Sequence, residues 1–411
     1  MKLEIGSFRL IEQKVGYNMQ VLSSIFETIN EKETVQFLQS LIQVNSVNQP
    51  GNEKGVAEVI KTYLASSKLH VEVDDLGHNR ANLFVTYPNG ETDEKYLIYS
   101  GHLDTVPTGK VEWEHDPFSG KVVGNKIYGR GTTDMKGGVA AMILALKYLE
   151  GAGVKLKGKV QFVGTAGEEV DGYGAKTVVE KGQIDKATAM VVSEPSENQL
   201  FTAHKGCLWL EITTNGKTAH GSMPDQGINA ILAMNELINM LQTYQFDYTP
   251  HPLLGHPTMN IGTIEGGVKT NVVPDQCKLT LDIRTIPGQD KDSILADIEK
   301  MIQDITVRFQ STYQIKVINS MESVGTNETD DFVKLAVTTA KTHLNKELYP
   351  MGVNYYTDAS VYCPHLHIPT IIVGPGDPKL AHQPDEYIEI DKFIESIRYF
   401  MALAIDYLGV R

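Results

Sequence analysis

The chain has 411 residues, 41% of them hydrophobic and 21% charged, which excludes disordered and collagen-like polymers and, at about 150 residues per domain, argues against one single core. Its net charge of −14, from 37 Lys+Arg against 51 Asp+Glu, comes without any basic run, so phosphate backbones and anionic lipid are repelled. The longest apolar stretches, such as Val139 to Leu146, fall well short of the ~20 residues of a membrane span, and the N-terminus pairs no basic region with an apolar segment of the export type; the expectation is a cytoplasmic protein with no nucleic-acid or membrane partner.

Residues 1–30 carry no strong feature and read as an N-terminal extension, with Met19 a plausible alternative initiator. From about Glu33 to Lys159, helical stretches alternate with short runs rich in Val, Ile and Tyr, the pattern of βα units on a sheet. The helix at Val139 to Leu149 is apolar all round and should be buried, and Asp134 stands just upstream, where backbone N–H groups favour negative charge. The order then changes to strand Cys207 to Thr214, helix Ile228 to Leu241, strands Thr258 to Glu265 and Gln276 to Arg284, helix Asp290 to Thr306 and strand Gln314 to Asn319, the β-α-β-β-α-β order of a ferredoxin-like unit. After about Met321 the first pattern resumes, with helix Asp330 to Leu344, strand Thr370 to Gly374 and helix Asp391 to Leu408. The fold class expected is therefore α/β: a first domain with a mostly parallel sheet and helices on both faces, formed by 1–206 and 321–411 and interrupted by an inserted ferredoxin-like α+β domain over 207–320.

Cys207, Cys277 and Cys363 are odd in number and scattered, which suits small buried hydrophobes better than a disulfide framework or a thiolate metal site. The ligand-type residues lie elsewhere, at the ends of the apolar runs. Tyr96 to Tyr99 leads into Ser100-Gly101-His102-Leu103-Asp104, Val160 to Val163 into Ala166-Gly167-Glu168-Glu169, Met190 to Val192 into Ser193-Glu194-Pro195, and Thr370 to Val373 into a Gly/Pro loop and then His382. In open α/β sheets, sites assemble in the crevice beyond the carboxyl ends of the parallel strands, so these positions can converge. Imidazoles and carboxylates without a thiolate suit zinc, cobalt or manganese, and carboxylates so concentrated repel one another without a cation. The run Gly129-Arg130-Gly131-Thr132-Thr133-Asp134 lacks the third glycine of a dinucleotide loop and places a carboxylate where pyrophosphate would sit. No Walker loop or GxSxG elbow is present. His365 and His367 precede the last strand, away from its carboxyl end, and read as surface or packing residues.

From about Glu31 onward the chain resembles the dinuclear zinc family of succinyl-diaminopimelate desuccinylase, acetylornithine deacetylase, aminoacylase and glutamate carboxypeptidase. The resemblance is carried by SGHLDTVP (100–107), GRGTTDMKGG (129–138), AGEEVDGYGA (166–175), VSEPS (192–196), TAHGSMPDQGINAI (218–231) and AHQPDEYI (381–388). It implies two divalent metal ions, zinc first and cobalt or manganese next, with His102, Glu169, Glu194 and His382 as ligands and Asp134 bridging. It also implies that Asp104 orients His102 and that Glu168 is the general base of amide hydrolysis on a metal-activated water; on an extended segment Glu168 and Glu169 would point in different directions. In the inserted domain, a lid and dimerisation domain by this resemblance, His220 matches a histidine that reaches the neighbouring subunit's site in a homodimer, and Asn271 and Arg284 match substrate contacts. Glu194 followed by Pro-Ser and the run Ala203-His204-Lys205-Gly206 are similar to the desuccinylase and deacetylase branch, in which Arg284 and Lys205 are candidates for a substrate carboxylate and Thr357 for a substrate contact. Ser360 departs from the Arg common there. The implied substrate is an N-acyl amino acid, succinyl-diaminopimelate first, acetylornithine or a dipeptide as alternatives. A protein that only binds an acyl amino acid or metal is the alternative from another class, and it would lack a ligand or the base.

Overall fold

The protein is described by a computed structural model that covers residue 16 and residues 18–88 and 94–411. Of the N-terminal extension, residues 1–15 and 17 lie outside the described residues; residues 18–26 are helical, with Leu22 and Ile25 buried.

In chain order the elements are α1 (Glu31–Ile42), α2 (Glu53–Tyr63), β1 (His70–Gly77), β2 (Arg80–Thr86), β3 (Tyr96–His102), β4 (Lys121–Val123), β5 (Lys126–Tyr128), α3 (Lys136–Gly151), β6 (Lys159–Thr165), α4 (Tyr173–Glu180), β7 (Ala189–Val192) and β8 (Phe201–His204). There follow β9 (Cys207–Asn215), α5 (Ala230–Gln242), β10 (Thr258–Gly266), β11 (Gln276–Arg284), α6 (Lys291–Phe309), β12 (Thr312–Met321) and β13 (Val324–Gly325). The chain closes with α7 (Asp331–Leu344), β14 (Met351–Val353), α8 (Ala359–Leu366), β15 (Thr370–Ile372), β16 (Tyr387–Glu389) and α9 (Ile390–Leu408). Two compact units result. One holds the described residues up to Thr202 with Thr326–Met351 and Thr357–Arg411, and the other holds Ala203–Gly325 with Gly352–Tyr356.

In the first unit the strands lie in the order β1-β2-β6-β3-β7-β15-β8. The four central strands β6, β3, β7 and β15 are parallel, and antiparallel pairings flank them on both sides. Register explains why both faces are apolar. Leu97 and Tyr99 of β3, with Val160 and Phe162 of β6 and Ala189 and Val191 of β7, join one core with Val139 to Leu146 of α3 and the apolar face of α9. The alternate residues Ile98, Val163, Met190 and Val192 are buried outside that core, on the face where Tyr362 of α8 meets Ser100. Strands covered on both faces read as continuous apolar runs, as these do. α3 is buried along Lys136–Leu146, as its all-round apolar sequence requires, and it begins two residues after Asp134. A short antiparallel sheet of order β16-β5-β4 completes this unit.

The second unit is an antiparallel sheet of order β10-β11-β9-β12. Period-two burial puts Leu208, Leu210 and Ile212 of β9 and Leu279, Leu281 and Ile283 of β11 on the face that meets α5 and α6. α6 answers with Ile294, Ile298, Ile302 and Ile305, three or four residues apart and so on one stripe. Asn229 and Asp290 cap the two helices by accepting backbone N–H bonds from Ile231 and Asp292. No helix among the described residues is long and apolar enough to cross a membrane.

Candidate metal centre

Six polar side chains converge where the parallel strands of the first unit end. His102 is the last residue of β3, Glu194 lies two residues beyond β7, and Glu168 and Glu169 follow β6. Asp134 enters from the loop before α3, and His382 from the loop between β15 and β16. The Asp134 carboxylate lies between the imidazoles: its Oδ1 is 3.0 Å from His102 Nε2 and its Oδ2 is 3.3 Å from His382 Nε2. Glu194 Oε1 lies 3.8 Å from His102 Nε2, and Glu169 Oε1 lies 3.2 Å from His382 Nε2. Among the described residues, two clusters have geometry able to hold a cation, His102 with Asp134 and Glu169, and His102 with Glu168 and Glu194.

Glu168 and Glu169 do not lie on an extended segment, as the alternation argument had it; they occupy a turn. They diverge because the turn folds around Asp104. The Asp104 carboxylate accepts the backbone N–H groups of Gly167, Glu168 and Glu169 at 3.1, 3.3 and 3.3 Å, together with Asn48 Nδ2 at 2.7 Å. The nearer acceptor for the His102 ring is the Asp104 main-chain carbonyl, 3.0 Å from Nδ1, with the carboxylate 3.5 Å away. Since a carbonyl only accepts, Nδ1 carries the hydrogen, and Nε2 faces Asp134 and Glu194.

Electrostatics follow from burial. Burial, then the Glu194 and Glu169 charges, pushes the Glu168 carboxyl well above the ordinary range against the pull of His102. Glu194 is raised well above it by burial and then Asp134, and Glu169 is raised by the same two causes. Burial works against the His102 imidazolium, but hydrogen bonds to Asp104 and Asp134 outweigh it and raise this histidine well above its usual value. Asp134 and then Glu169 raise His382 to about 10. Four acidic groups share this small volume, and the carboxylate contacts at the Nε2 atoms of His102 and His382 are where a divalent cation would relieve their mutual repulsion. The donor set fits the metal the motifs imply: imidazole and carboxylate, borderline to hard, with no thiolate.

The remaining residues singled out in the sequence are placed as follows. Thr357 is buried in the first unit, its hydroxyl accepting the Ala359 N–H at 3.1 Å. The second unit brings His220 and Asn271 together: Gly221 N–H donates to the Asn271 carbonyl at 2.8 Å, and both side chains are on exposed residues. Ser222 N–H donates to His220 Nδ1 at 3.2 Å, and the Ser222 hydroxyl lies 2.7 Å from the same nitrogen; with Nδ1 accepting, a neutral ring carries its hydrogen on Nε2. Arg284 is engaged by Asp282, Nε to Oδ1 at 2.8 Å and Nη2 to Oδ2 at 3.1 Å, and stacks 5.8 Å from the Trp209 ring. Lys205 Nζ donates to the His256 carbonyl at 2.8 Å, and burial, then Arg284, lowers its pKa. His365 is exposed and pairs with Asp185 at 3.0 Å, outside the centre. The sequence reading missed Asn48, which joins Asp104 to Glu53, and Asp358, a buried carboxyl that accepts the Thr165 hydroxyl and is raised to about 6 by burial. It also assigned nothing to Arg130 or Glu386, although both stand in its motifs.

A sheet with a parallel centre, with imidazoles and carboxylates gathered at its carboxyl edge, is an arrangement suited to metal-dependent hydrolysis. Residues 98–406 match the model of Peptidase family M20/M25/M40, and the chain belongs to that family. It is 29% identical to a probable succinyl-diaminopimelate desuccinylase of Staphylococcus aureus, over 93% of this chain and 99% of that protein. It is 30% identical to an acetylornithine deacetylase of Buchnera aphidicola, over 86% of this chain and 93% of the other. Its fold matches that of a dinuclear metal binding peptidase of the M20 family from Bacillus subtilis, with a TM-score of 0.72 and 18% identity, covering 92% of this chain and 98% of that one.

Proposed function

We propose that this hydrolase cleaves the amide bond of an N-acyl amino acid, with N-succinyl-diaminopimelate as first substrate, releasing succinate and diaminopimelate. The observation that carries the chemistry is the Asp134 carboxylate with one oxygen toward each imidazole, the disposition of a bridging ligand. In this reading His102 and Glu194 would hold one divalent metal and His382 and Glu169 the other, with Asp134 serving both, zinc first with cobalt or manganese next. Such a pair of metals, when bound, lowers the pKa of water and polarises an acyl oxygen.

The chain's own residues carry the rest. Glu168, buried beside His102 and Glu194, takes the proton of the attacking water and hands it to the departing amine. Asp104 holds the turn that aims Glu168 and, through its carbonyl, the ring of His102. His220, an exposed residue whose Nε2–H is a hydrogen-bond donor when Nδ1 accepts from Ser222, stabilises the oxyanion of a neighbouring subunit in a homodimer, with Asn271 beside it. Arg284 and Lys205 are the cationic candidates for a substrate carboxylate; each already has a partner, Asp282 and the His256 carbonyl, that substrate would have to displace. Thr357, whose Oγ1 accepts the Ala359 N–H, is the further candidate for a substrate contact. The inserted unit serves as lid and dimerisation domain, and the protein acts in the cytoplasm.

The test is hydrolysis of N-succinyl-diaminopimelate, N-acetylornithine and a dipeptide panel by metal-loaded protein. The highest kcat/KM is expected on the succinyl substrate. A deacetylase or dipeptidase would reveal itself by reversing that order, and turnover of none of the three would remove the branch assignment.

A further inference from the structure

Arg130 and Glu386 are 1% and 0% exposed and form an ion pair at the junction of β5 and β16. These strands pair with Tyr128 opposite Tyr387, and Gly129 N–H donates to the Glu386 carbonyl at 2.9 Å, so the two charged residues leave the sheet side by side. Glu386 Oε1 accepts the N–H groups of Thr133 and Asp134 at 2.7 and 3.0 Å, and Oε2 accepts that of Gly131 at 3.2 Å together with Arg130 Nη1. The guanidinium continues outward: Nη2 donates to the carbonyls of Pro107 and His382 at 3.2 and 3.3 Å, and Nη1 reaches that of Gln383 at 3.4 Å. One buried pair therefore grips three loops, those carrying His102 and Asp104, Asp134, and His382. The Trp113 ring lies 5.2 Å from the guanidinium carbon.

A buried ion pair is weak evidence for stability, because desolvation offsets its attraction and apolar residues of equal volume often serve as well. This pair does what apolar residues could not, satisfying three amide N–H groups and three carbonyls around the centre. Gly131 lets the loop come this close: its φ is +87°, and a Cβ there would sit 2.7 Å from a Thr105 methyl. His382 itself sits at φ +65°, a backbone state a non-glycine residue keeps only when its surroundings impose it, and its carbonyl is the one Arg130 holds.

We infer that Arg130 and Glu386 are the positioning residues of the metal centre: Glu386 sets the backbone of Asp134, Arg130 sets that of His382, and their mutual contact fixes the span between the two ligands. The inference rests on the reading of Asp134 and His382 as metal ligands. In Glu386→Gln an amide donor replaces one oxygen and opposes either the Gly131 N–H and Arg130 or the Thr133 and Asp134 N–H groups. Both metals are then held less well. In Arg130→Lys the charge opposite Glu386 remains, but one ammonium cannot serve Glu386 and three carbonyls at once, so the loss falls chiefly on the metal beside His382.

The experiment is zinc titration of metal-stripped full-length protein against a chromophoric chelator, with metal content by mass spectrometry and near-ultraviolet circular dichroism and urea unfolding of the metal-free forms. The expected result is zinc affinity lowered roughly 10–100-fold in both variants, as for partners behind metal ligands elsewhere, with the second equivalent of zinc affected more than the first in Arg130→Lys. A pair that is only structural would lower the urea midpoint while the folded protein bound zinc as tightly as wild type, and that result would overturn the inference. Should Glu386→Gln not fold, Arg130→Lys alone decides in the same way. Wild-type protein that took up no divalent metal would instead overturn the ligand assignment itself.

Discussion

Glu168 and Glu169 are neighbours in sequence yet keep different company, the first with His102 and Glu194, the second with His382. If Glu168 is the base rather than a ligand, Glu168→Gln should lower kcat by roughly 10²–10⁴-fold with metal content unchanged, measured by steady-state kinetics beside metal analysis. Loss of a metal equivalent would make it a ligand. At His204, fully buried in the second unit with Nδ1 2.9 Å from the Lys205 carbonyl, burial lowers the pKa to about 4. The folded ring takes up its proton near pH 4 and the unfolded ring near 6.5, so the unfolded state binds more protons in between. Stability therefore declines as pH falls from 6.5 and levels off below 4, by about 3 kcal/mol in order of magnitude. Urea unfolding of His204→Gln across pH 7 to 4 should show a shallower decline than wild type; identical slopes would mean that the folded ring takes up its proton where the unfolded one does.

α3 is the element on which the centre leans, since it starts beside Asp134 and passes the strand that delivers Glu194. A Cβ on Gly138 would lie 2.2 Å from the Ser193 carbonyl oxygen. Helix propensity alone favours Gly138→Ala by about 1 kcal/mol, whereas overpacking costs roughly 1–3 kcal/mol or more. The expected outcome is a lower unfolding midpoint, and because the displaced residue adjoins Glu194, weaker metal binding too. A stabilised variant would show that the helix can slide away from β7. The turn at Gly167–Glu169 is the comparable case among loops: its three amides converge on Asp104, a contact between segments 63 to 65 residues apart with no local signature.

For the whole molecule, a homodimer sharing His220 makes a quantitative prediction. His220→Ala and Glu168→Gln proteins, each inactive alone, should on unfolding and refolding together recover roughly a quarter of wild-type activity, because half of the dimers are mixed and each of these has one intact site. No recovery from a dimer that sedimentation shows to be mixed would place His220 in its own subunit's chemistry or in none. Removal of metal by chelation should abolish turnover, and zinc, cobalt or manganese should restore it.

Chain order by itself specified the α/β class, the β-α-β-β-α-β run of the second unit and the positions at which β3, β6 and β7 end in ligand-type residues, because apolar periodicity and strand ends are local properties. It also specified which side chains are chemically able to bind a metal. Only the tertiary structure decided that Asp134 lies between His102 and His382, that Asp104 serves the ring of His102 mainly through its carbonyl, and that Arg130 and Glu386, 256 residues apart, close on one another. Such pairings are fixed by how loops from different strands are packed and by where buried polar groups find partners, and neither leaves a trace in the spacing of residues along the chain.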